Sequence, residues 1–351
     1  MKDLKYICAY TIPITAILGL FLQGYFTYLT PIYAFGLIPI IELFTQDSKQ
    51  NLNEQQRLSK GQKKLFNWLL YLNLPIVYSL IFFTIYTCTN QTFFTYEIIG
   101  IVISTGIVLG TNGINVGHEL GHRSTYERFL GKALLLPSLY MHFFIEHNYG
   151  HHLKVATKED PATAKFNHPV YWFWITSTIG QYISAWKIQF KLLQQNKLSF
   201  FSIKNDMFWY LIITVSYLLL IYFSFGSFGF IIALSSGIVG FLLLETINYI
   251  EHYGLARSKT TTGRYERVRE IHSWNSNHTL GRILLYELTR HSDHHHRAAK
   301  KYQLLDHHDK SPQLPFGYPT SMVLSLIPPL WFMIMNKHVP REMRNISKSQ
   351  H

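Results

Sequence analysis

Six apolar runs, arranged as three pairs, constrain the fold of this 351-residue chain more than any other feature. A helix needs about 20 apolar residues to cross a hydrocarbon core of ~30 Å, and most of the runs have that length. They predict an all-α integral membrane protein with six transmembrane helices in three hairpins, the second helix being tilted or short. The runs cover residues 7–29, 31–44, 65–87, 93–116, 207–225 and 228–247.

The distribution of positive charge predicts the orientation of these helices. Lys and Arg together number 32 against 20 Asp and Glu, which gives a net charge of +12. The connection inside each pair carries no Lys or Arg, whereas the connections between pairs are basic. By the positive-inside rule, we expect both termini and segments 117–206 and 248–351 to be cytoplasmic. We therefore expect one membrane-embedded domain over 1–351 with a cytoplasmic, helical, histidine-rich catalytic cap. Its basic excess would face anionic lipid rather than nucleic acid.

Histidine is concentrated in three runs within the predicted cytoplasmic segments. They read His118-Glu-Leu-Gly-His122, Glu146-His147-Asn-Tyr-Gly-His151-His152 and Arg290-His291-Ser-Asp-His294-His295-His296. Residues four apart lie on one face of an α-helix, so we expect His118 to point with His122, and His147 with His151. Several imidazoles that converge on one place are typical of a transition-metal site.

A further histidine follows the sixth apolar run, in Asn248-Tyr-Ile-Glu251-His252-Tyr-Gly254. Together the four motifs supply nine imidazoles, which is too many for one ion with four to six ligands, so we predict two metal ions. The nine candidate ligands are His118, His122, His147, His151, His152, His252, His291, His294 and His295. No catalytic residue beyond this metal site is predicted.

Carboxylates commonly orient metal-binding imidazoles through the second ring nitrogen. Four carboxylates stand beside candidate ligands, and each of them could instead ligate or bridge a metal: Glu119, Glu146, Glu251 and Asp293. His272 and His278, on either side of Trp274, are candidates for a supporting or structural role and for ligation.

The four motifs together resemble the signatures of the alkane 1-monooxygenases, membrane di-iron hydroxylases of the fatty acid desaturase and hydroxylase superfamily. The three histidine boxes are common to that superfamily, whereas the element from Asn248 to Gly254 is much more particular to the alkane enzymes. Segments 156–162 and 272–278 are also similar to the family, and the resemblance runs from about residue 117 to residue 302.

The resemblance implies terminal hydroxylation of n-alkanes to 1-alkanols, with O2, at two non-haem iron ions in a bacterial inner (plasma) membrane. It also implies a rubredoxin as electron donor, reduced by a separate rubredoxin reductase. The chain itself has only Cys8 and Cys88, too few for a rubredoxin-type iron centre. An alkane drawn from the bilayer offers no polar group, so its binding must come from apolar burial, at ~0.8 kcal/mol per CH2.

Two alternatives remain open on the sequence. Histidine boxes do not fix the substrate, so a fatty-acyl desaturase or hydroxylase, or a xylene-type aryl-methyl monooxygenase, is the second hypothesis. An acyl-CoA or acyl-carrier substrate would need a basic patch, for which Lys154, Lys158 and Lys187 are candidates. A metal transporter or sensor is the third, but it would need ionisable residues along the apolar runs, which carry few.

Overall fold

In the computed structural model, which describes residues 2–45 and 47–349, the chain is helical as predicted. Residues 1, 46, 350 and 351 of the predicted single domain lie outside this part. Within it, β-structure is limited to isolated bridges. The helices are α1 (Asp3–Leu22), α2 (Gly24–Phe44), α3 (Glu54–Gln62), α4 (Leu65–Asn90), α5 (Thr95–Gly121), α6 (Thr125–Leu135), α7 (Val170–Gln195), α8 (Asp206–His252), α9 (Thr279–Leu284), α10 (His291–His296), α11 (Tyr318–Ser325), α12 (Pro328–Met335) and α13 (Arg341–Ser349).

Five helices of the described residues, α1, α2, α4, α5 and α8, are long and apolar enough to cross a membrane. The chain divides into two compact units. Unit 1 comprises Met1–Leu37, Lys63–Phe144 and Ala185–Leu244. Unit 2 comprises Ile38–Gln62, Ile145–Ser184 and Glu245–His351.

The first two apolar helices meet at Gln23 and Gly24, not at Thr30-Pro31, where the sequence predicts the junction. Gln23 and Gly24 have φ values of 58° and 55°, which end α1 and turn the chain. Pro31 instead lies inside α2, where it has no N–H to bond the carbonyl four residues earlier, that of Thr27. The Ser104 hydroxyl donates to this carbonyl at 2.7 Å, so a neighbouring helix replaces the missing hydrogen bond.

Helix α8 covers both runs of the third predicted hairpin. It is 47 residues long and is interrupted at Gly226, whose φ of 70° and ψ of −173° are not helical. Ile221 before the interruption and Ile232 after it belong to the same buried cluster, together with Ile81 and Ile101. The interruption therefore falls where the sequence predicts the hairpin tip.

Small residues bring α5 and α8 together in unit 1. Gly106 and Gly110 lie one turn apart on α5, in a Gly-x-x-x-Gly spacing. A Cβ atom on Gly106 would lie 2.4 Å from the Cβ of Val239, and one on Gly110 would lie 2.6 Å from a methyl carbon of Leu243. Glycines at such positions let two helix backbones approach closely, which is how many membrane helices pack.

Unit 2 buries large aromatic side chains around the C-terminal end of α8. Trp274, 1% exposed, donates its backbone N–H to the carbonyl of Glu251 and its indole N–H to that of Tyr253. Tyr253 also packs edge-on against Trp331 of α12. These contacts fix residues 251–253, and with them His252, against the loop that leads to α9.

Candidate metal centre

Four histidines of unit 2 converge in one buried group, which we call the second histidine group: His151, His252, His291 and His295. None is more than 6% exposed. The Nε2 atom of His291 lies 2.9 Å from that of His295 and 3.3 Å from that of His252. The Nε2 atom of His295 is also 3.2 Å from that of His151. All four side chains thus aim the same ring nitrogen at one point.

Hydrogen bonding alone does not account for this convergence. A ring nitrogen carries either one hydrogen or one lone pair, yet the Nε2 atom of His291 has three close polar neighbours. The third of them is a carboxylate oxygen of Glu251, at 3.1 Å. Two nitrogens bound at right angles to one metal ion, each ~2.1 Å from it, lie ~3.0 Å apart. The observed separations match this spacing, so the donor set fits a metal ion.

The other nitrogens of two of these rings have protein partners. His151 donates from Nδ1 to Asp160 at 2.9 Å, and Nδ1 of His252 lies 3.4 Å from the carbonyl oxygen of His272. Burial by itself lowers the pKa of His151, but nearby carboxylates, chiefly Asp160 with Glu146, raise the pKa overall. Burial, reinforced by His291, holds the pKa of His295 well below its ordinary value, which keeps that ring neutral and able to bind metal.

Asp160 is the supporting residue that the sequence analysis missed. It follows His151 by nine residues, in a turn where the Thr163 hydroxyl and the Ala162 N–H also donate to it. The available signal was segment 156–162, which resembles the alkane enzymes but carries no histidine.

Three more histidines of unit 2 form a neighbouring group, which we call the first histidine group: His147, His152 and His294. Each offers a ring nitrogen within 4.8 Å of the others, and the Nε2 atoms of His147 and His152 are 3.0 Å apart. The rings of His147 and His151 lie beside each other as predicted, with centroids 5.3 Å apart, but the two histidines belong to different groups. The reason is that residues 147–151 form a π-helix rather than an α-helix. The wider turn aligns His147 with the residue five positions later, and π-turns of this kind are frequent at functional sites.

His118 and His122 lie in unit 1, at the end of α5. Their ring centroids are 5.0 Å apart, and His118 is 8% exposed. Gly117 and Gly131 press α5 against α6 here, since a Cβ on Gly117 would lie 2.9 Å from the Gly131 carbonyl oxygen. The two histidines are therefore neighbours, as predicted, and their role as ligands stays a prediction.

Of the predicted supporting carboxylates, Glu119 and Asp293 form ion pairs with basic side chains. Arg123 donates to Glu119 at 2.7 Å within unit 1. In unit 2, Asp293 accepts from Lys300 at 2.6 Å and contacts His308 at 2.8 Å. These contacts hold the ends of the first and third histidine motifs.

The other two carboxylates lie deeper. Glu251, 1% exposed, accepts a hydrogen bond from the Tyr318 hydroxyl at 2.9 Å and faces His291 with its other oxygen. Glu146 is fully buried, and burial, assisted by the Asp160 carboxylate, raises its pKa to about 8.

His272 and His278 belong to neither histidine group among the described residues. His272 accepts the Arg269 N–H at Nδ1, at 3.0 Å, and burial lowers its pKa to about 4. The Nδ1 atom of His278 is 2.9 Å from the Ser276 hydroxyl. Both histidines therefore support the loop before α9, and only His272 touches a candidate ligand.

The chain is similar to known enzymes over most of its length. The fatty acid desaturase family matches residues 94–322. Alkane 1-monooxygenase 2 of Alcanivorax borkumensis is 35% identical over 319 residues, which cover 90% of this chain and 84% of the relative. Alkane 1-monooxygenase of Ectopseudomonas oleovorans is 34% identical over 333 residues, covering 93% and 83%. The hydroxylase component of a Pseudomonas putida xylene/toluene monooxygenase is 27% identical over 271 residues, covering 76% and 72%.

Proposed function

Since the chain belongs to the alkane 1-monooxygenase family of membrane oxidoreductases, we propose that it hydroxylates the terminal methyl group of n-alkanes at two iron ions. The reaction combines the alkane with O2, two electrons and two protons, and it yields a 1-alkanol and water. The observation that carries the proposal is the convergence of four buried Nε2 atoms in the second histidine group, beside the first histidine group.

The second histidine group would hold one iron. His147, His152 and His294 would hold the other, with His118 and His122 as the further ligands that the sequence predicts. Iron bound to such nitrogen-rich sites supplies the O2 activation that an unactivated methyl C–H bond requires. The Asp160 carboxylate would orient one of these ligands, His151. Burial of all four rings would keep water from the second group.

We further propose six membrane crossings. A continuous helix of 47 residues would be about 70 Å long, more than twice the thickness of the hydrocarbon core, so α8 would cross twice with Gly226 at its tip. Both termini and the metal centre would face the cytoplasm of a bacterial cell, with the protein in the inner membrane as one domain over 1–351. The apolar helices would then bring the alkane from the bilayer to the metal centre.

The electron donor would be a rubredoxin, itself reduced by a separate rubredoxin reductase. A rubredoxin is a small acidic protein, and this chain has a net charge of +12, so the two attract each other at long range.

Product analysis tests the proposed reaction. The full chain in nanodiscs would receive rubredoxin, its reductase, NADH and 18O2, with octane, hexadecane, xylene and stearoyl-CoA in competition. We expect a 1-alkanol that carries one 18O atom. The variant His291→Ala should lose the iron of the second histidine group, and with it the activity, while its helix content stays unchanged.

An aryl-methyl monooxygenase is the second candidate, because the hydroxylase component of a xylene/toluene monooxygenase is among the relatives. An oxidised xylene methyl group without any alkanol would favour it and contradict the alkane assignment. An alkene from stearoyl-CoA would favour a desaturase instead. A stearoyl-CoA substrate would need a basic patch. One candidate residue for that patch, Lys158, lines a cavity of about 420 Å³ together with Asp160 and Trp172 in unit 2.

A further inference from the structure

We propose that residues 257–270, which we call the basic hairpin, form the docking surface for the acidic protein that donates electrons to the metal centre. This inference rests on the proposed function, since it assumes an electron-accepting metal centre. It adds a location for the partner, which neither the family membership nor the histidine groups supply.

The hairpin concentrates positive charge on exposed side chains. It has five basic and two acidic residues, a net charge of +3, within 14 residues. Four of the basic side chains are exposed to solvent: Lys259, Arg264, Arg267 and Arg269. Such a cluster speeds the approach of an acidic partner and fixes its orientation.

The hairpin is held in shape before any partner arrives. Lys259 and Tyr265 pair across it, and the Thr260 N–H donates to the Arg264 carbonyl at 2.7 Å. The turn is made at Gly263, whose φ is 77°. The cationic groups of Arg257 and Lys259 lie 5.6 Å and 5.2 Å from the centre of the Tyr265 ring. A surface that is already ordered loses less conformational entropy on binding.

Both ends of the hairpin lead to the histidine groups. At one end, buried Arg257 donates to the carbonyl of Leu153, the residue after His152, at 2.7 Å. At the other end, the Arg269 N–H donates to His272, whose carbonyl oxygen lies 3.4 Å from Nδ1 of His252. A partner bound here would thus contact a hairpin whose two ends are hydrogen-bonded to segments that carry candidate iron ligands, His152 and His252. Each docking event would oxidise the partner's centre by one electron and reduce the metal centre by one, so each O2 would require two events.

The side chains of the hairpin fit a polar protein surface better than a membrane surface. None of its large apolar residues is exposed, since Tyr265 and Val268 are both partly covered. Segment 196–205 of unit 1 shows the contrasting pattern, because Phe201 and Ile203 are 76% and 80% exposed there, between two lysines. Apolar side chains beside basic ones are typical of a membrane surface segment.

Charge reversal tests the docking surface. The variant Arg264→Glu/Arg267→Glu changes two exposed side chains. Arg264 holds the hairpin through its backbone carbonyl, which the substitution keeps. Its matched control is Lys197→Glu/Lys204→Glu, which changes the net charge equally in segment 196–205. The full chain would be placed in phosphatidylcholine nanodiscs, and its Kd for a purified acidic rubredoxin would be measured by biolayer interferometry at 50 and 200 mM salt. We expect the hairpin variant to raise the Kd at least ~10-fold and to weaken its salt dependence, whereas the control stays within ~2-fold of the wild type.

Several outcomes would overturn the inference. The inference would be wrong if rubredoxin did not bind the wild type, if both variants weakened its binding equally, or if the hairpin variant left its Kd unchanged. Loss of binding to phosphatidylglycerol vesicles, with rubredoxin binding intact, would assign the hairpin to lipid instead. Iron content should equal the wild-type value in both variants, which separates docking from metal loss. Failure of the proposed function is recognised separately, by the absence of alkanol when dithionite replaces the protein donor.

Discussion

The Nδ1 atom of His151 lies 2.9 Å from the Oδ2 atom of Asp160, and both side chains are almost completely buried. This hydrogen bond leaves Nε2 of His151 facing the other three rings of the second histidine group. Asp160 therefore orients the His151 ring through its second nitrogen, which is the role predicted for the carboxylates adjacent to the histidines.

Replacement of Asp160 by Asn should weaken iron binding. The amide keeps the size of the side chain but removes the charge, and it can turn an N–H toward the ring. Loss of such a supporting carboxylate typically lowers metal affinity by ~10–100-fold. Iron content of the purified variant, and the rate at which ferrozine removes its iron, measure the change.

The control for Asp160→Asn is Glu159→Gln, which removes one negative charge from the neighbouring exposed side chain. Its iron content and removal rate should equal those of the wild type. If Asp160→Asn also retained iron as the wild type does, the supporting role of Asp160 would be refuted.

Gly106→Ala should destabilise the packing of α5 against α8. The added methyl group would lie 2.4 Å from the Cβ of Val239 and 3.0 Å from the carbonyl oxygen of Ser236, so the helices must move apart. Overpacking of this kind costs about 1–3 kcal/mol. Thermal unfolding in detergent should show a lower Tm.

Gly36→Ala is the matched control, because a Cβ on Gly36 meets no atom within 4 Å. We expect an unchanged or slightly higher Tm, since Ala favours helices over Gly. An equal loss of Tm in both variants would show that close contact at Gly106 is not the cause.

Arg57→Met should make the stability of unit 2 less dependent on acid pH. Arg57 donates to both carboxylate oxygens of Asp306, at 2.9 and 3.0 Å, from a side chain that is 34% exposed. Burial opposes ionisation, but the hydrogen bonds from Arg57 and Lys300 hold the pKa of Asp306 below its ordinary value of 3.8. The stabilisation is therefore complete above pH ~4 and is lost as the pH falls through the lowered pKa.

The ion pair should contribute about 1 kcal/mol to the free energy of unfolding. The resulting difference in Tm between the wild type and Arg57→Met should be constant from pH 8 to 5 and shrink below pH 4. Arg57→Lys keeps the charge but not the two parallel hydrogen bonds, so its Tm should be intermediate. A difference that grows as the pH falls would contradict the assignment of the ion pair.

Elements that depend on length and regular periodicity could be predicted from the sequence. The apolar runs 65–87 and 93–116 correspond to α4 and α5 because spanning a hydrocarbon core requires their length. His291 and His295 share a group because α10 is an α-helix, in which residues four apart lie on one face.

Features that depend on local departures from regularity could not be predicted. The π-turn at 147–151 places His147 in one histidine group with His152 rather than with His151. No residue type in the motif specifies that turn. The junction between α1 and α2 lies at Gln23 and Gly24 because Ser104, distant in sequence, satisfies the backbone around Pro31. Asp160 reaches His151 through a loop whose path is set by tertiary contacts.

Iron stoichiometry gives the most direct test of two separate metal sites. Iron per chain would be measured by plasma mass spectrometry in the wild type, in His295→Ala of the second histidine group, in His152→Ala of the first, and in the double variant. We predict two irons in the wild type, one in each single variant and none in the double variant. One iron in the wild type, or a double variant that keeps as much iron as either single variant, would contradict this prediction.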